Sequence, residues 1–446
     1  MAQRDSEKKV SGRDKNNGGE DRHFSYVRKK ALAAQQASRH LVGLSTVQKN
    51  EALEAISSEL ERSIDGILAA NARDMEAGER AGLGTRLDRL LLTPERIESI
   101  RAAIDTVRDL PDPVGMEIDA SRRPNGMQVR RVRCPLGVVG IIYEARPNVT
   151  VDASVICLKT GNAVVLKGGS DAIESNRAIT EAIRRALERA GLPSAAVQLL
   201  DSTERAVTGA FLQMRGLIDV IIPRGSLELI RFTQDNAKVP VIETGASVVH
   251  AYVDEEVDVN KAVDLIVNAK TRRVSICGAL DTLLLHSSIL EEVGVPLSRR
   301  LAECDPPVEV RADERAYPVF ADAMDAEYLK PLDALQDFDT EYLDYKMAVG
   351  TVDSMEEALA HIEAHSLKHT EAIYTTNSEK AERFMRSVDA ACVMHNVSTQ
   401  FVDGAEFGLG AEIGISTQKL HVRGPFALEG LTGMKWEIRG DGQTRP

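Results

Sequence analysis

The chain has 446 residues, of which 43% are hydrophobic and 28% are charged, a composition typical of a globular protein with two or three domains. Acidic residues exceed basic residues by 13, and the isoelectric point is about 5.3. Such a surface repels phosphate backbones and anionic lipid, so we expect neither a nucleic-acid nor a membrane partner. An anionic substrate would need a local basic pocket.

The cysteine pattern indicates a reducing environment. The five cysteines have no CxxC spacing, which fits a cytoplasmic protein and argues against a disulfide framework or a zinc site. No apolar signal region opens the chain and no run reaches transmembrane length. Residues 1–22 mix both charge signs with Gly and Asn, and we predict a disordered tail there.

The first folded stretch is helical. From Tyr26 to about Leu110 the apolar residues follow helical spacing. Ser45 and Thr93 are predicted N-caps, and Pro94 occupies the first position of its helix. We expect these helices to cover one face of a sheet.

A strand-helix alternation follows. Val138–Tyr143 is continuously apolar, which is typical of a strand buried on both faces. Further predicted strands are residues 162–167, 197–200, 218–223 and 239–243, with helices at 172–190 and 205–214. This alternation predicts an α/β domain with a parallel sheet of the nucleotide-binding type.

A second alternating series follows Tyr252. Its predicted helices are residues 259–269, 289–303, 355–364 and 378–388, and its strands are residues 282–285, 347–352, 371–375 and 391–395. Outside both series, Met127–Arg133 alternates apolar and basic residues, a pattern that predicts a strand. Leu431–Arg439 is also extended, and it could pair with that strand or with another subunit.

Cys277 is the candidate nucleophile. It lies between a helix that ends near Lys270 and a strand that begins at Asp281, among small and polar neighbours. The positive charges of Arg272 and Arg273 would favour the thiolate form. The alternative is a packed cysteine, because free Cys is among the most buried residue types.

Other candidate sites lie at strand ends. No G-x-G-x-x-G follows a predicted strand, and residues 408–414 (GLGAEIG) are better explained as a loop over the active site. Lys167–Ser170 and Pro223–Ser226 each place glycine and a cation between a strand and a helix, where free N–H groups bind phosphate. Ordinary turns are the alternative. Asn148 precedes a helix, and it is either an oxyanion donor or a simple cap.

Together these stretches resemble the gamma-glutamyl phosphate reductase family, a branch of the aldehyde dehydrogenase superfamily. The resemblance extends from about Tyr26 to Arg439. The matching segments are Pro135–Asp152, Gly161–Ser170, Asp219–Ser226, Asn268–Cys277, His369–Ile373 and Phe407–Pro425.

The resemblance implies an aldehyde dehydrogenase-like α/β fold with two Rossmann-like domains and a small β-hairpin oligomerisation element. The expected cofactor domain comprises residues 23–125 and 135–250, and the catalytic domain comprises residues 251–424. Residues 126–134 and 425–446 would form the oligomerisation element. The family also implies a homo-oligomer, either a dimer or a tetramer, and leaves a complex with glutamate 5-kinase open.

The implied activity is reduction of L-glutamyl 5-phosphate by NADPH to L-glutamate 5-semialdehyde and phosphate, the second step of proline biosynthesis from glutamate. The reaction would pass through a thioester on Cys277, with Asn148 as an oxyanion donor. Lys167 and the biosynthetic role favour NADP over NAD. Glu243 lies near the position where hydrolytic aldehyde dehydrogenases keep a general base, but water would waste the thioester of a reductase.

The resemblance also implies the binding residues, and we expect no metal among them. The cofactor residues would be Lys167, Gly168, Ser170, Pro223, Arg224, Gly225, Ser226 and Glu341. The substrate residues would be Arg146 and the basic cluster Lys419, His421 and Arg423, and a surface cluster is the alternative.

Several positions depart from the expected family pattern. Arg272, Val274 and Gly278 stand in place of Gln, Pro and Asn, Gln400 stands in place of Arg, and residues 244–250 lack a GxGxCH form. These changes leave Cys277 in place and concern substrate binding more than the reaction. Three alternative hypotheses for the function are a hydrolytic aldehyde dehydrogenase, a paralogue of altered specificity and a non-enzymatic scaffold in a proline-pathway complex.

Overall fold

The computed structural model describes residues 17–84, 87–144 and 146–445. They form two compact units: the first runs to Ile242 and resumes at Leu428, and the second is Glu243–Ala427. Residues 1–16 of the predicted disordered tail lie outside the described residues. Residues 17–22 are helical, so that part of the tail prediction is wrong. Lengthening an existing helix gains one hydrogen bond per residue without a new nucleation cost.

The first helices form where their capping signals predict them. Ser45 and Gln48 make a reciprocal capping box, in which Ser45 Oγ accepts from the Gln48 amide at 3.3 Å and Gln48 Oε1 accepts from the Ser45 amide at 2.9 Å. Thr93 accepts from the Arg96 amide at 3.2 Å, with Pro94 at the first helical position. The helices are α1 (Asn17–Leu41), α2 (Thr46–Arg62), α3 (Ile64–Arg80), α4 (Leu87–Leu90) and α5 (Pro94–Asp109).

The first unit contains a parallel four-stranded sheet in the order β5-β4-β3-β6 among its described residues. All residues of β3 are buried, as its apolar run predicted, and all residues of β4 are buried as well. The strands are β1 (Glu117–Arg122), β2 (Gln128–Pro135), β3 (Val138–Tyr143), β4 (Ala163–Gly168), β5 (Val197–Leu199) and β6 (Val220–Arg224). The helices between them are α6 (Asn148–Lys159), α7 (Ile173–Arg189), α8 (Arg205–Leu212) and α9 (Leu227–Asn236).

The strand predicted at residues 239–243 is wrong. Only Val241 makes an isolated bridge, to Ile221 of β6. The contact has two hydrogen bonds, from the Ile221 amide to the Pro240 carbonyl and from the Ile242 amide to the Ile221 carbonyl. Pro240 has no N–H to continue a ladder, which limits the pairing to this bridge.

The second unit has a parallel seven-stranded sheet, ordered β10-β9-β11-β8-β7-β12-β13 among its described residues. Its strands are β7 (His250–Val253), β8 (Thr282–His286), β9 (Glu309–Ala312), β10 (Leu329–Pro331), β11 (Lys346–Val352), β12 (Thr370–Tyr374) and β13 (Cys392–His395). Its helices are α10 (Val259–Thr271), α11 (Leu290–Ala302), α12 (Tyr317–Ala321), α13 (Met355–His365) and α14 (Ser378–Ser387). Apolar residues of these strands and helices form its core.

Short antiparallel pairings complete the fold. In the second unit β14 (Gly414–Ser416) pairs with β15 (Gly424–Phe426). In the first unit β16 (Thr432–Arg439) pairs with β2, one of the two pairings that the sequence allowed. Strand β1 joins the other side of β2 and was not predicted, because its residues are all exposed and carry no burial pattern. No helix in the described part of the chain is long and apolar enough to cross a membrane.

Candidate active site

The candidate cofactor loops of the first unit meet at one edge of its sheet. Tyr143, the last residue of β3, pairs with Gly168 on β4 and with Arg224 on β6. The strands are parallel, so the loops after them emerge side by side at their carboxyl ends, where open α/β sheets bind ligands. The structure therefore brings Lys167–Ser170 and Pro223–Ser226 together.

Lys167 and Gly168 are tightly enclosed. Lys167 is buried, and its ammonium group donates to the Gly168 carbonyl at 2.9 Å. Burial lowers the pKa of Lys167, because the charged form loses its hydration. A Cβ at Gly168 would overlap the Asn176 amide and lie 3.2 Å from the Tyr143 hydroxyl, which explains the glycine. A bound anion near this lysine would stabilise its charged form, which burial has separated from water.

The second loop already holds an anion, the carboxylate of Glu144. Glu144 follows β3, and its Oε2 accepts from the Ser226 amide at 2.8 Å and its Oε1 from Ser226 Oγ at 3.1 Å. Ser226 is also the N-cap of α9. A Cβ at Gly225 would lie 2.5 Å from the Glu144 carboxylate, so only glycine allows this approach. Glu144 was not among the predicted site residues, although its position directly after the most apolar strand was an available signal.

Asn148 is the first residue of α6, and it is not a cap. Pro147 precedes it, and the Asn148 amide nitrogen donates to Asp152 Oδ2 at 3.0 Å, one helical turn further on. This bond orients the amide and leaves its second N–H for another acceptor. Burial raises the pKa of Asp152 to about 6, opposed by the bond from Asn148 and the charge of Arg224. Arg146 is exposed just before this helix.

In the second unit, Cys277 lies half-buried in the loop between α10 and β8, as predicted. We call residues 272–281 the thiol loop. Its base is closed by two hydrogen bonds, from the Leu280 amide to the Ala269 carbonyl at 3.1 Å and from Lys270 Nζ to the Leu280 carbonyl at 2.9 Å. The five cysteines, which all lie in the described part of the chain, form no disulfide.

The loop base is connected to the segment that carries Glu341. Buried Asp281 accepts from the Tyr342 amide at 3.1 Å, and Ser247 Oγ donates to Glu341 Oε1 at 3.0 Å. Burial raises the pKa of Glu341. Hydrogen-bond donors such as the Ser247 hydroxyl or a ribose hydroxyl therefore stabilise its charged form. Burial also raises the pKa of Asp281 and lowers that of Lys270. Neither Asp281 nor Lys270 was among the predicted site residues.

Glu243 and the predicted basic cluster also lie in the second unit. Glu243 is half-buried, and its amide donates to Gln418 Oε1 at 3.1 Å. Lys419 and Arg423 both bind the Asp389 carboxylate, at 2.9 Å and 2.8 Å. Exposed His421 lies between them in a left-handed backbone conformation, with φ of 68°.

Asp389 also binds Lys368, at 3.0 Å. Hydrogen bonds from these cations, led by Lys419, hold the pKa of Asp389 far below its ordinary value. Three cations thus surround one carboxylate, so this cluster carries more positive than negative charge. Nε and Nη2 of Arg423 are buried and have no hydrogen-bond partner among the described residues.

Comparisons with known proteins place these features in a family context. The chain matches the model of the aldehyde dehydrogenase family over residues 21–309. It is 50% identical over 420 residues to the gamma-glutamyl phosphate reductase of Moorella thermoacetica, covering 94% of this chain and 98% of that protein.

Solved structures agree with this relationship. The crystal structure of gamma-glutamyl phosphate reductase from Thermotoga maritima is 41% identical, with a TM-score of 0.91 over 94% of this chain and 100% of that one. An acetylating aldehyde dehydrogenase from Geobacillus thermoglucosidasius is 18% identical, with a TM-score of 0.67 over 96% of this chain and 99% of that one, and shares the fold. The predicted aldehyde dehydrogenase-like fold is confirmed.

Proposed function

Because this chain belongs to the gamma-glutamyl phosphate reductase family within the aldehyde dehydrogenase superfamily, we propose that it reduces L-glutamyl 5-phosphate to L-glutamate 5-semialdehyde and phosphate. This is the second step of proline biosynthesis from glutamate. The observation that carries the proposal is 50% identity across 94% of the chain, with Cys277 placed in a loop between a helix and a strand.

Cys277 performs the covalent chemistry in this proposal. Its thiolate attacks the acyl carbon of the substrate, the carbon–oxygen bond to phosphate breaks, and a thioester forms. Asn148 donates a hydrogen bond to the oxyanion that develops during this attack, with its amide oriented by Asp152. After reduction of the thioester, the carbon–sulfur bond breaks, the aldehyde leaves and the thiolate is regenerated.

NADPH is the proposed cofactor, and when bound it supplies the hydride that reduces the thioester. The residues of the first unit fit a dinucleotide: the N-terminus of α9 and Ser226 already hold one anion, the Glu144 carboxylate. Lys167, Gly168, Ser170 and the loop Pro223–Ser226 would hold the phosphate groups and the adenosine end. In the second unit Glu341, oriented by Ser247, would bind the nicotinamide ribose.

The substrate would use the basic cluster of the second unit. Arg423 has two donor atoms, Nε and Nη2, that no described residue binds, and they have the fork geometry that matches a carboxylate or phosphate. Lys419 and His421 lie on the same loop and add charge or hydrogen bonds, and Arg146 of the first unit is the remaining candidate. Lys419 is 65% exposed, so we expect it to contribute less than Arg423.

Self-association through the three-stranded sheet is the proposed assembly. Met434, Trp436 and Ile438 are 60%, 60% and 61% exposed and alternate along β16, so they share one face of an edge strand. A dimer or tetramer would cover this apolar face. A complex with glutamate 5-kinase stays a prediction.

The proposed reaction can be tested in reverse with purified protein, NADP⁺ and pyrroline-5-carboxylate, which equilibrates with the semialdehyde. NADPH formation should depend on added inorganic phosphate. Cys277→Ala should lose activity by roughly 10³-fold or more, whereas Cys304→Ala, a half-buried cysteine of the same unit, should retain it. Formation without phosphate would instead identify a hydrolytic dehydrogenase with Glu243 as its base. Full activity of Cys277→Ala would exclude the thioester.

A further inference from the structure

The thiol loop depends for its shape on a segment far along the chain. Beyond the two bonds at its base, the loop is contacted by the short 3-10 helix Thr399–Phe401, which follows β13. Thr399 is completely buried, and its Oγ1 donates to the carbonyl of Gly278 at 2.7 Å. Gly278 is the residue immediately after Cys277, so this bond holds the loop backbone one residue beyond the thiol.

Gln400 holds the other side of the loop. Its side chain is buried, and its Nε2 donates to the Ala269 carbonyl at 2.7 Å and to the Arg273 carbonyl at 3.4 Å. The first acceptor is in the last turn of α10 and the second is in the thiol loop. One amide group thus connects the end of the helix to the loop that departs from it.

The fit between the two segments is close. A Cβ at Gly278 would lie 2.8 Å from the Thr399 carbonyl oxygen and 2.5 Å from Val402 Cγ1, so the loop backbone rests directly on this segment. Gly278 and Gln400 are two of the positions that depart from the expected family pattern, and both belong to this one contact. The segment is itself held in place, because the hydroxyl of buried Ser398 accepts from the backbone N–H of Gln400 at 3.3 Å.

We propose that Thr399 and Gln400 are positioning residues for Cys277: by binding the carbonyls of Gly278, Arg273 and Ala269, they set the place from which the thiol attacks. The proposal rests on the proposed role of Cys277 as the nucleophile. It has a chemical reason, because a misplacement of about 1 Å can cost roughly 10²-fold in rate. Neither residue needs to contact the substrate for this effect.

Two near-isosteric variants remove the bonds. Thr399→Val deletes the hydroxyl, and Gln400→Met deletes the side-chain amide. Thr399→Ser keeps the hydroxyl and should retain wild-type activity. Thr233→Val is the matched control, because Thr233 is completely buried and its Oγ1 donates to one carbonyl, Leu229, at 2.8 Å in α9.

Two readouts separate positioning from simple loss of stability. The first is kcat and KM in the phosphate-dependent reverse assay, where Thr399→Val and Gln400→Met should lower kcat by about tenfold or more and change KM by less than about threefold. The second is the rate of iodoacetamide alkylation at each cysteine, measured by peptide mass spectrometry. Cys277 should be alkylated faster in both variants, because its loop is loosened, while buried Cys392 should keep its wild-type rate.

The outcomes are distinct. A lower kcat together with faster alkylation confined to Cys277 supports the proposal, especially if Thr399→Ser behaves like the wild type. Unchanged kcat and alkylation, or faster alkylation of Cys277 and Cys392 together, would overturn it, the latter by indicating general destabilisation. If the wild type has no reductase activity, the proposed function fails, and the alkylation pattern still decides whether these two residues hold the loop.

Discussion

Replacement of Glu144 by glutamine removes a negative charge from the N-terminus of α9 and keeps one acceptor for the Ser226 amide. The carboxylate now makes two hydrogen bonds to Ser226, at 2.8 Å and 3.1 Å, in an exposed position. A negative charge at an exposed helix N-terminus stabilises by about 0.3–1 kcal/mol. We therefore expect Glu144→Gln to lower the free energy of unfolding by roughly 0.3–1 kcal/mol.

The same substitution should strengthen cofactor binding. In the proposed function the pyrophosphate of NADP⁺ uses the N–H groups that Glu144 occupies, so the carboxylate competes with it and repels it. Repulsion between two unit charges about 4 Å apart is worth about 1 kcal/mol in water, which corresponds to roughly fivefold in Kd. Glu144→Gln should thus bind NADP⁺ about fivefold more tightly, and salt should reduce the difference.

The assay is a fluorescence titration with NADP⁺, paired with urea unfolding of the same preparations. Glu181→Gln makes the same change of charge within α7 and serves as the control, because its nearest described cation is Arg185 at 3.9 Å. Weaker NADP⁺ binding by Glu144→Gln would refute the reasoning, since it would mean that Glu144 contacts the cofactor instead of competing with it.

Three further predictions follow from buried or exposed groups. The folded-state pKa of Asp152 is raised to about 6, so its favourable contribution to stability is complete below about pH 4 and is lost as the pH rises through about 6. Urea unfolding at several pH values should therefore show wild type losing stability relative to Asp152→Asn across that range, and parallel curves would contradict it. Gly278→Ala should destabilise by about 1–3 kcal/mol and lower kcat, because its Cβ would lie 2.8 Å from the Thr399 carbonyl oxygen; wild-type melting and turnover would disprove the close fit. Trp436→Glu should shift the protein to a smaller species in light scattering, since its ring is 60% exposed on β16, and an unchanged mass would exclude that face as the interface.

Local sequence patterns predicted most of the secondary structure. The N-cap at Ser45, the proline after Thr93 and the apolar run of β3 each reflect forces between near neighbours, and each prediction is confirmed. The failures have local causes as well. Pro240 cannot extend a ladder, and the exposed residues of β1 carry no burial pattern to read.

The residue types, their order and their family motifs were sufficient to predict the fold class, the position of Cys277 in its loop and the carboxyl-end placement of the two candidate cofactor loops. Tertiary structure alone decided which side chains meet there. Glu144 lies 82 residues from Ser226, and Gln400 lies 131 residues from Ala269, yet both pairs are hydrogen-bonded. Periodicity and propensity act over a few residues, whereas these contacts depend on which loops the sheets bring to one edge. A sequence pattern therefore identified the candidate nucleophile, and only the packed chain revealed the groups that bind the loop around it.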